Sequence, residues 1–456
     1  MEFGEYALKI AERLGAEHAE VRYQRLERTA LKLRNKGLEA VVEGIDEGIG
    51  VRVLFKGCWG FSHTPDLTKA GIEEAVRRAI KNAEIQGGKC NVKLAKAELV
   101  KGEYKFDYKI DPRTVDVSDK VLILVKGFEN ASEIAKEKLR SVEINYFDLW
   151  FKTHFMNSDG ADAVQVGARF YFSFRVYGST PAGLFYDSER FGMMAGLEKL
   201  EDSIIEVSSR MARRVVSQYN AKAPPIGPAQ AILESRAAGD FFHEVGHSFE
   251  ADSVVRGFSA FEGLKGQKVA SEIITIYEDP TMPNAWGSQF FDDEGVKPKK
   301  TLLIENGVLR GYIHSRETAS ILGEEPTGHA RAESYQHEPI IRMANLVLAP
   351  GDWKEEELIE ETRSGIYISG ARGGQTTGKG PFQFQASEAY LIEKGEISKP
   401  LKSVSVSMKI LEALKNIDAI CREANYYITL CGKGGQRMAV TALAPTMRIK
   451  KVIIGG

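Results

Sequence analysis

Ala229-Gln230-Ala231-Ile232-Leu233 and His243-Glu244-Val245-Gly246-His247 mark a strand followed by a helix. Ser235 is a plausible N-cap between them. Because residues four apart lie on one helix face, both imidazoles can reach one Zn²⁺ while Glu244 stands beside its open position. This geometry is typical of zinc hydrolases. Gly246 costs about 1 kcal/mol relative to alanine inside a helix, which indicates close approach of another backbone or of a substrate.

A third zinc ligand has to come from outside the five residues His243 to His247, hereafter the pentad, because catalytic zinc usually has three protein ligands and a water. Glu250 could face the same side as His247, or its carboxylate could orient an imidazole N–H. Cys431 is the better candidate. The glycines after it let a loop approach closely, and Lys433 would favour the thiolate that binds metal. The alternative is a cysteine buried only for packing.

Composition limits the classes of function. The chain has 456 residues, enough for two or three domains, and a formal net charge of −2. No overall basic field would attract nucleic acid or an anionic membrane, and no apolar run reaches membrane-spanning length. The acidic N-terminus is unlike a secretory signal, so we expect a cytoplasmic protein. Four scattered cysteines do not suggest a disulfide framework, and we expect them to be thiols.

The order of predicted elements indicates an α+β fold in three parts. Residues 1–105 predict a small N-terminal α/β unit, and residues 106–225 a central region in which two helices flank a mixed or antiparallel sheet. A proline-rich boundary then opens residues 226–456, a β-rich C-terminal domain that carries the zinc-binding helix. Its clearest hairpin is Leu302 to His314, where Asn306-Gly307 supplies the positive φ angles of a type I′ turn.

Periodicity also predicts shorter elements in the first two parts. Helices are expected from the N-terminus to about residue 14, over 67–84, over 118–139 and over 196–219. Strands are expected over 19–23, 29–34, 40–43 and 51–55.

Two glycine- or histidine-rich segments invite a functional interpretation. Gly373 to Gly380 approaches a phosphate-binding loop, but Gly380 stands where Ser or Thr should bind Mg²⁺, and Pro381 opens a strand-like segment instead of a helix. It is better interpreted as a flexible loop against which an extended peptide can lie. Residues 328–337 are either a hydrogen-bonded surface turn or, through the part from Tyr335 to His337, a contact to substrate.

Several segments, taken in order, resemble the TldD half of the TldD/PmbA family of zinc metalloproteases, over nearly the whole chain. They are the pentad with the acidic residues that follow it, Asp292 to Val296, Leu303 to Tyr312, Gly370 to Gly380, Ala386 to Glu393, Cys431 to Gln436, and Pro445 to Ile449 with the chain that continues to Gly456.

This resemblance implies a zinc metallopeptidase in which His243, His247 and Cys431 hold Zn²⁺ and Glu244 is the general base. It also implies unfolded or short peptides as substrates and a PmbA/TldE-type partner subunit in a hetero-oligomer or dimer. One feature departs from the family pattern, which has an extra residue between Glu244 and the second histidine. The alternative hypothesis is a catalytically silent, peptide-binding or regulatory subunit of the same assembly.

Overall fold

Two large β-sheets with helices on their faces make up the molecule. The computed structural model describes residues 2–181, 183–376 and 381–456. The α+β class predicted from the order of elements is confirmed. Among the described residues, no helix is long and apolar enough to cross a membrane.

The first sheet has seven strands drawn from the N-terminal half of the chain. They are β1 (His18–Arg34), β2 (Gly37–Phe55), β3 (Cys58–Thr64), β4 (Lys101–Lys105), β5 (Leu139–Asn157), β6 (Asp162–Thr180) and β7 (Gly183–Met193). Their spatial order is β3-β2-β1-β5-β6-β4, and β7 also pairs with β6. All neighbours are antiparallel except β4, which runs parallel to β6. The sheet therefore continues across residue 105, and the three-domain division stays a prediction.

Four helices cover this sheet: α1 (Glu2–Arg13), α2 (Lys69–Ile85), α3 (Val117–Ala135) and α4 (Leu200–Gln218). α1 and α2 share an apolar core with β1 and β2, while α3 and α4 share one with β5 and β6. Each helix was predicted to within a few residues. Thr68 starts α2, since its side chain accepts a hydrogen bond from the Gly71 N–H.

The four short strands predicted in the first unit are wrong as separate elements. Residues 19–23 and 29–34 belong to the single strand β1, and residues 40–43 and 51–55 belong to β2. The two strands form one long hairpin that turns at Asn35, whose φ is 53°. The stretches between the predicted strands, residues 25–28 of β1 and 44–47 of β2, lie at partly or fully exposed positions, so a change to polar composition there does not end the strand.

The C-terminal part has thirteen strands among its described residues. They are β8 (Gly227–Leu233), β9 (Ile276–Glu278), β10 (Thr301–Glu305), β11 (Val308–Leu309), β12 (Ala330–Arg331), β13 (Ile340–Ile341), β14 (Asn345–Leu348), β15 (Ser364–Thr376), β16 (Pro381–Glu393), β17 (Glu396–Leu401), β18 (Ser405–Lys409), β19 (Ile417–Lys433) and β20 (Gln436–Gly455). Five of them, β8, β15, β16, β18 and β20, close into a ring because β8 pairs with both β15 and β20. β19 forms a long antiparallel hairpin with β20.

Among the residues described in this part, five helices accompany these strands: α5 (Ser235–Gly246), α6 (Ala251–Val255), α7 (Arg316–Leu322), α8 (Glu355–Thr362) and α9 (Ile410–Asn416). The predicted hairpin is confirmed, since β10 and β11 pair across Asn306 and Gly307, whose φ angles are 47° and 79°. Both angles are positive, as a type I′ turn requires.

α5 follows β8 directly and carries the first four residues of the pentad, with His247 immediately after its end. Its N-cap is Glu234, whose carboxylate accepts a hydrogen bond from the Arg236 N–H, so the N-cap predicted at Ser235 is wrong by one residue. Phe241, Phe242 and Val245 are buried in the core shared with the ring of strands. The helix is therefore held firmly at the end that bears the histidines.

Two further expectations differ from the structure. Cys58 and Cys90 form a disulfide that ties β3 to the loop after α2, which corrects the expectation of four thiols; only Cys421 and Cys431 are free. The pairing of Cys58 with Cys90 is not visible in the sequence, because the two cysteines are 32 positions apart. Of the segment Gly373 to Gly380, residues up to Thr376 belong to β15 and are not a loop. The rest of that prediction lies outside the described residues.

Candidate metal centre

α5 and β19 bring three metal-binding side chains together. The candidate ligand atoms of His243, His247 and Cys431 all lie within 4.8 Å of one another. Cys431 Sγ is 3.3 Å from His247 Nε2, and the two imidazole rings are 5.1 Å apart between centroids. α5 ends at Gly246, and His247 opens a 3₁₀ turn. The plain four-residue spacing thus directs both rings to one point.

Cys431 lies among groups that stabilise a thiolate. Burial raises the pKa of its thiol, but hydrogen bonds with His243 and His247 outweigh burial and lower it to about 5. Lys433, which was expected to favour this thiolate, is not among the groups that chiefly set its pKa. The Lys433 ammonium instead contacts Glu250 at 2.9 Å and Asp252 at 2.8 Å.

Glu250 supports His247 from behind. Its Oε2 atom is 3.1 Å from His247 Nδ1, and its side chain is buried. Burial would raise the pKa of Glu250, but His247 and Lys433 lower it to about 2. Of the two roles left open for this residue, the structure places it as the carboxylate that orients an imidazole. That contact leaves His247 Nε2 free to face Cys431.

The donor set fits a zinc ion. Two imidazole nitrogens and a thiolate are ligands that zinc prefers, and three protein ligands leave one position open. His243 Nδ1 is buried and has no hydrogen-bond partner within the described ranges. A buried polar atom without a partner costs free energy unless something binds there. The arrangement around Cys431 therefore meets the chemical requirements of a metal site.

Glu244 lies on the same helix beside the three donors. Burial raises the pKa of its carboxyl group, and the nearby Asp240 charge raises it further. Asp240 stands one helical turn earlier and accepts a hydrogen bond from the Tyr427 hydroxyl. The β15 backbone approaches both carboxylates at Gly374, where a Cβ atom would come within 2.9 Å of Asp240 and 3.3 Å of Glu244. A side chain at this position would press on both acidic groups.

The reason for Gly246 is also visible. A Cβ atom there would lie 2.0 Å from the sulfur of Met343 and 3.2 Å from Leu346 Cδ2. Close approach was expected from the sequence, but of another backbone or a substrate; the approaching groups are instead side chains of the adjoining segment that includes β14. Packing of the pentad helix thus requires glycine at this position.

Of the two arrangements considered for residues 328–337, a hydrogen-bonded turn is present where the His337 N–H donates to the Ser334 carbonyl oxygen, but most of the segment is buried rather than at the surface. The substrate contact stays a prediction. Tyr335 is buried, its hydroxyl donates to Asp46, and Arg22 donates to the carbonyl oxygens of Ser334 and His337. The segment therefore joins the first sheet to the C-terminal part. No contact between Tyr335 or His337 and the three candidate ligands is found among the described residues.

Sequence reasoning missed Asp240 and Tyr427. Both could have been found from spacing, since Asp240 is four residues before Glu244 on a helix. Tyr427 is four residues before Cys431 on a strand, where even spacings share a face. Neither position belongs to a recognisable motif.

Comparison with known proteins places the chain in a family. Profiles described as PmbA/TldA metallopeptidase domain 1, central domain and C-terminal domain match residues 19–83, 110–219 and 226–456. The chain belongs to this PmbA/TldD metallopeptidase family.

Individual relatives include a metalloprotease of Methanocaldococcus jannaschii, 37% identical over 93% of this chain and 94% of that protein. A zinc metalloprotease TldD homolog of Saccharolobus solfataricus is 28% identical, over 98% of this chain and 99% of that protein. Among solved structures, TldE from Thermococcus kodakarensis shares the fold with a TM-score of 0.81 at 22% identity, covering 99% of both chains. A putative modulator of a DNA gyrase from Thermotoga maritima does so with a TM-score of 0.83 at 23% identity, over 100% of this chain and 99% of that one.

Proposed function

We propose that this chain is a zinc metallopeptidase that hydrolyses peptide bonds in unfolded or short peptides. The observation that carries the proposal is the convergence of His243, His247 and Cys431 beside Glu244. Curated relatives named as metalloproteases support the reaction class, and one of them is named as a zinc enzyme. Zinc held by the three donors would supply Lewis-acid chemistry and acidify a water molecule.

Glu244 acts as the general base. Its carboxylate takes a proton from the attacking water and delivers it to the nitrogen of the leaving amine. Burial favours this role because it raises the pKa of Glu244 and so makes the carboxylate a stronger base. A second carboxylate on this helix, Asp240, accepts a hydrogen bond from the Tyr427 hydroxyl at Oδ1, while its Oδ2 atom is buried and has no partner among the described residues.

Backbone next to the centre suits an extended peptide. β15 pairs with β8 only from Ile366 to Ile368, and within the described ranges no strand covers the same edge of β15 from Gly370 to Thr376. Unpaired strand edges bind extended chains through main-chain hydrogen bonds, which are independent of side-chain identity. Gly374, on this uncovered part, faces Glu244. Peptides without stable structure would fit this arrangement.

A PmbA/TldE-type subunit is the partner that we propose. The outer half of β2 supports an interface there, because β3 pairs with β2 only from Ile49 to Phe55. Beyond that point no described strand pairs with this edge, and Leu38, Val41, Val42 and Ile45 are exposed. Open edges with apolar side chains are usually covered by another chain. The shared fold of TldE is consistent with a related subunit in this place.

Two substitutions test the proposal. Glu244→Gln should keep bound zinc and abolish hydrolysis of a disordered peptide, whereas Cys431→Ala should lose the zinc. Cys421→Ala is the matched control, because Cys421 is equally buried but lies outside the donor cluster. Zinc content is measured by atomic emission and cleavage by mass spectrometry, with and without the partner subunit. Full activity in Glu244→Gln would refute the mechanism, and a wild-type protein that binds no zinc would favour the silent subunit.

A further inference from the structure

A large cavity separates the first sheet from the ring of strands. Its volume is about 860 Å³, near the upper end of the range of about 300–1,000 Å³ for ligand pockets. β7, β15 and β19 contribute to its wall. Tyr427 also lines it, and its hydroxyl bonds to Asp240 on the pentad helix. The cavity thus borders the candidate metal centre on the Tyr427 side without containing the three donors.

The cavity wall carries more positive than negative charge. Five guanidinium groups face three carboxylates, those of Glu189, Glu206 and Glu234. Four of the five guanidinium groups have carboxylate partners within 4.0 Å. Arg210 pairs with Glu189 and Glu206, Arg214 with Asp187 and Glu189, Arg236 with Glu189 and Glu234, and Arg372 with Asp187.

Arg190 is different from these four. The one hydrogen bond of its guanidinium within the described part of the chain goes to Thr429 Oγ1 at a long 3.4 Å, and no carboxylate there lies within 4.0 Å of it. Its position is close to the pentad helix, because it lines the same cavity as Tyr427, whose hydroxyl bonds to Asp240 on that helix. The cavity therefore presents one uncompensated guanidinium beside the pentad helix.

We propose that Arg190 binds a carboxylate of the peptide substrate and thereby orients the peptide in the cavity. This inference rests on the proposed peptidase function and names the substrate chemistry: a peptide with a carboxylate next to the cleaved region. The carboxylate can be the C-terminus of the peptide or an Asp or Glu side chain. A guanidinium offers paired N–H donors that match either source.

The strength of such a contact is large enough to measure. Hydrogen bonds to charged groups contribute about 1.5–3 kcal/mol, which corresponds to roughly 10- to 100-fold in affinity. The contact lies in a cavity partly shielded from solvent, so salt should weaken it less than a surface ion pair. The other four guanidinium groups contribute less, because their charges are already neutralised by neighbouring carboxylates.

Binding rather than cleavage tests the inference. The full-length Glu244→Gln protein, loaded with zinc, is titrated against a fluorescein-labelled unstructured peptide, and affinity is read as anisotropy. Three forms of one sequence are compared: a free C-terminus with an internal Asp, an amidated C-terminus with Asp, and a free C-terminus with Asn. Each peptide is also titrated against the double variant that carries Arg190→Gln in addition to Glu244→Gln. Arg213→Gln is the control, an exposed arginine of α4 that does not line this cavity.

We expect the protein with Arg190 to lose tenfold or more in affinity when the recognised carboxylate is removed, and Arg190→Gln to lose that preference. Loss in the amidated form identifies the C-terminus, and loss in the Asn form identifies the side chain. Arg190→Lys should keep part of the preference, and thermal unfolding should show that all variants are folded. The inference is overturned if the affinity does not change when either carboxylate is removed, if it does not change in Arg190→Gln, or if no peptide binds at all. Failure of the peptidase proposal shows separately, as absence of cleavage by the wild type.

Discussion

Arg342 holds the backbone of Cys431. Its Nη2 atom donates to the Cys431 carbonyl oxygen at 2.5 Å, its Nη1 atom donates to the Gln436 carbonyl oxygen at 3.3 Å, and the side chain is completely buried. One guanidinium thus ties both sides of the β19–β20 turn. Because its two acceptors lie five positions apart, one on each side of the turn, it fixes the place where the thiolate leaves the strand.

Replacing Arg342 should weaken the metal site without touching a ligand. In Arg342→Leu two buried carbonyl oxygens lose their donor, and the turn that carries Cys431 can shift. Loss of a group that supports a ligand typically costs about 10- to 100-fold in metal affinity. Competition with a chromophoric zinc chelator measures the effect. Arg437→Leu, on the exposed side of β20, is the matched control.

A dissociation constant unchanged from wild type would contradict this role for Arg342. Arg342→Lys keeps one charged donor and should give an intermediate affinity. Circular dichroism distinguishes a weakened site from an unfolded protein, since a buried unsatisfied carbonyl costs about 1–3 kcal/mol by itself.

Local patterns in the sequence predicted the elements that depend on local physics. The Asn306-Gly307 turn and the pentad on α5 are examples, because turn geometry and helix periodicity are set by neighbouring residues. The position of Cys431 is different: its sulfur meets His247 across 184 residues, through a strand pairing that no local pattern encodes. From the residues alone it stayed one of several candidates. Only the family resemblance pointed to it firmly.

The remaining differences have the same origin. Lys433 could be expected to act on the nearest thiolate in sequence, but folding places Glu250 and Asp252 closer to its ammonium. The long hairpin of β1 and β2 was divided into four strands because polar residues in its exposed half imitate a loop. Both differences came from judging a residue by its sequence neighbours instead of its neighbours in space.

Gly246→Ala should destabilise the protein, although alanine is normally favoured in helices by about 1 kcal/mol. The new methyl group would overlap the buried sulfur of Met343, and overpacking of this kind costs about 1–3 kcal/mol. Urea denaturation gives the free energy of unfolding. Adding Met343→Ala makes room, so the double variant should be less destabilised than the sum of the two single variants. Simple additivity would contradict the overlap.

Stability should fall in alkaline solution because of His18. Burial lowers the pKa of His18, but hydrogen bonds with Asp159 and Glu20 outweigh burial and raise it to about 9 from an ordinary value of 6.5. The folded state therefore holds this proton more tightly than the unfolded state. Its contribution, at most about 3 kcal/mol, is complete below pH 6.5 and is lost as the pH rises through 9.

Chemical denaturation at several pH values, in the presence of a chelator, measures this dependence. His18→Gln should be less stable than wild type near pH 6 and should lose less stability between pH 6.5 and 9. The difference between the two proteins isolates His18 from other titrating groups. Parallel profiles for the two proteins would show that His18 has no raised pKa.

Lys433→Met should release zinc at a higher pH than the wild type. Lys433 helps to hold the pKa of Glu250 at about 2, well below the ordinary 4.5, so Glu250 stays a carboxylate and accepts the His247 N–H. Without the ammonium, the buried carboxylate takes up a proton at higher pH and no longer orients the imidazole. At neutral pH we expect zinc affinity to fall by about 10- to 100-fold, as for other groups behind a metal ligand.

Zinc release during acid titration, followed with a fluorescent indicator, distinguishes this effect from a general loss of charge. Lys297→Met is the matched control, because Lys297 forms an exposed ion pair with Glu98 outside the donor cluster. Glu250→Gln combined with Lys433→Met should release zinc no more easily than Glu250→Gln alone, since Lys433 acts on the metal through Glu250. If the two substitutions add independently, Lys433 must act on the centre by another route, such as its bond to the Ile341 carbonyl.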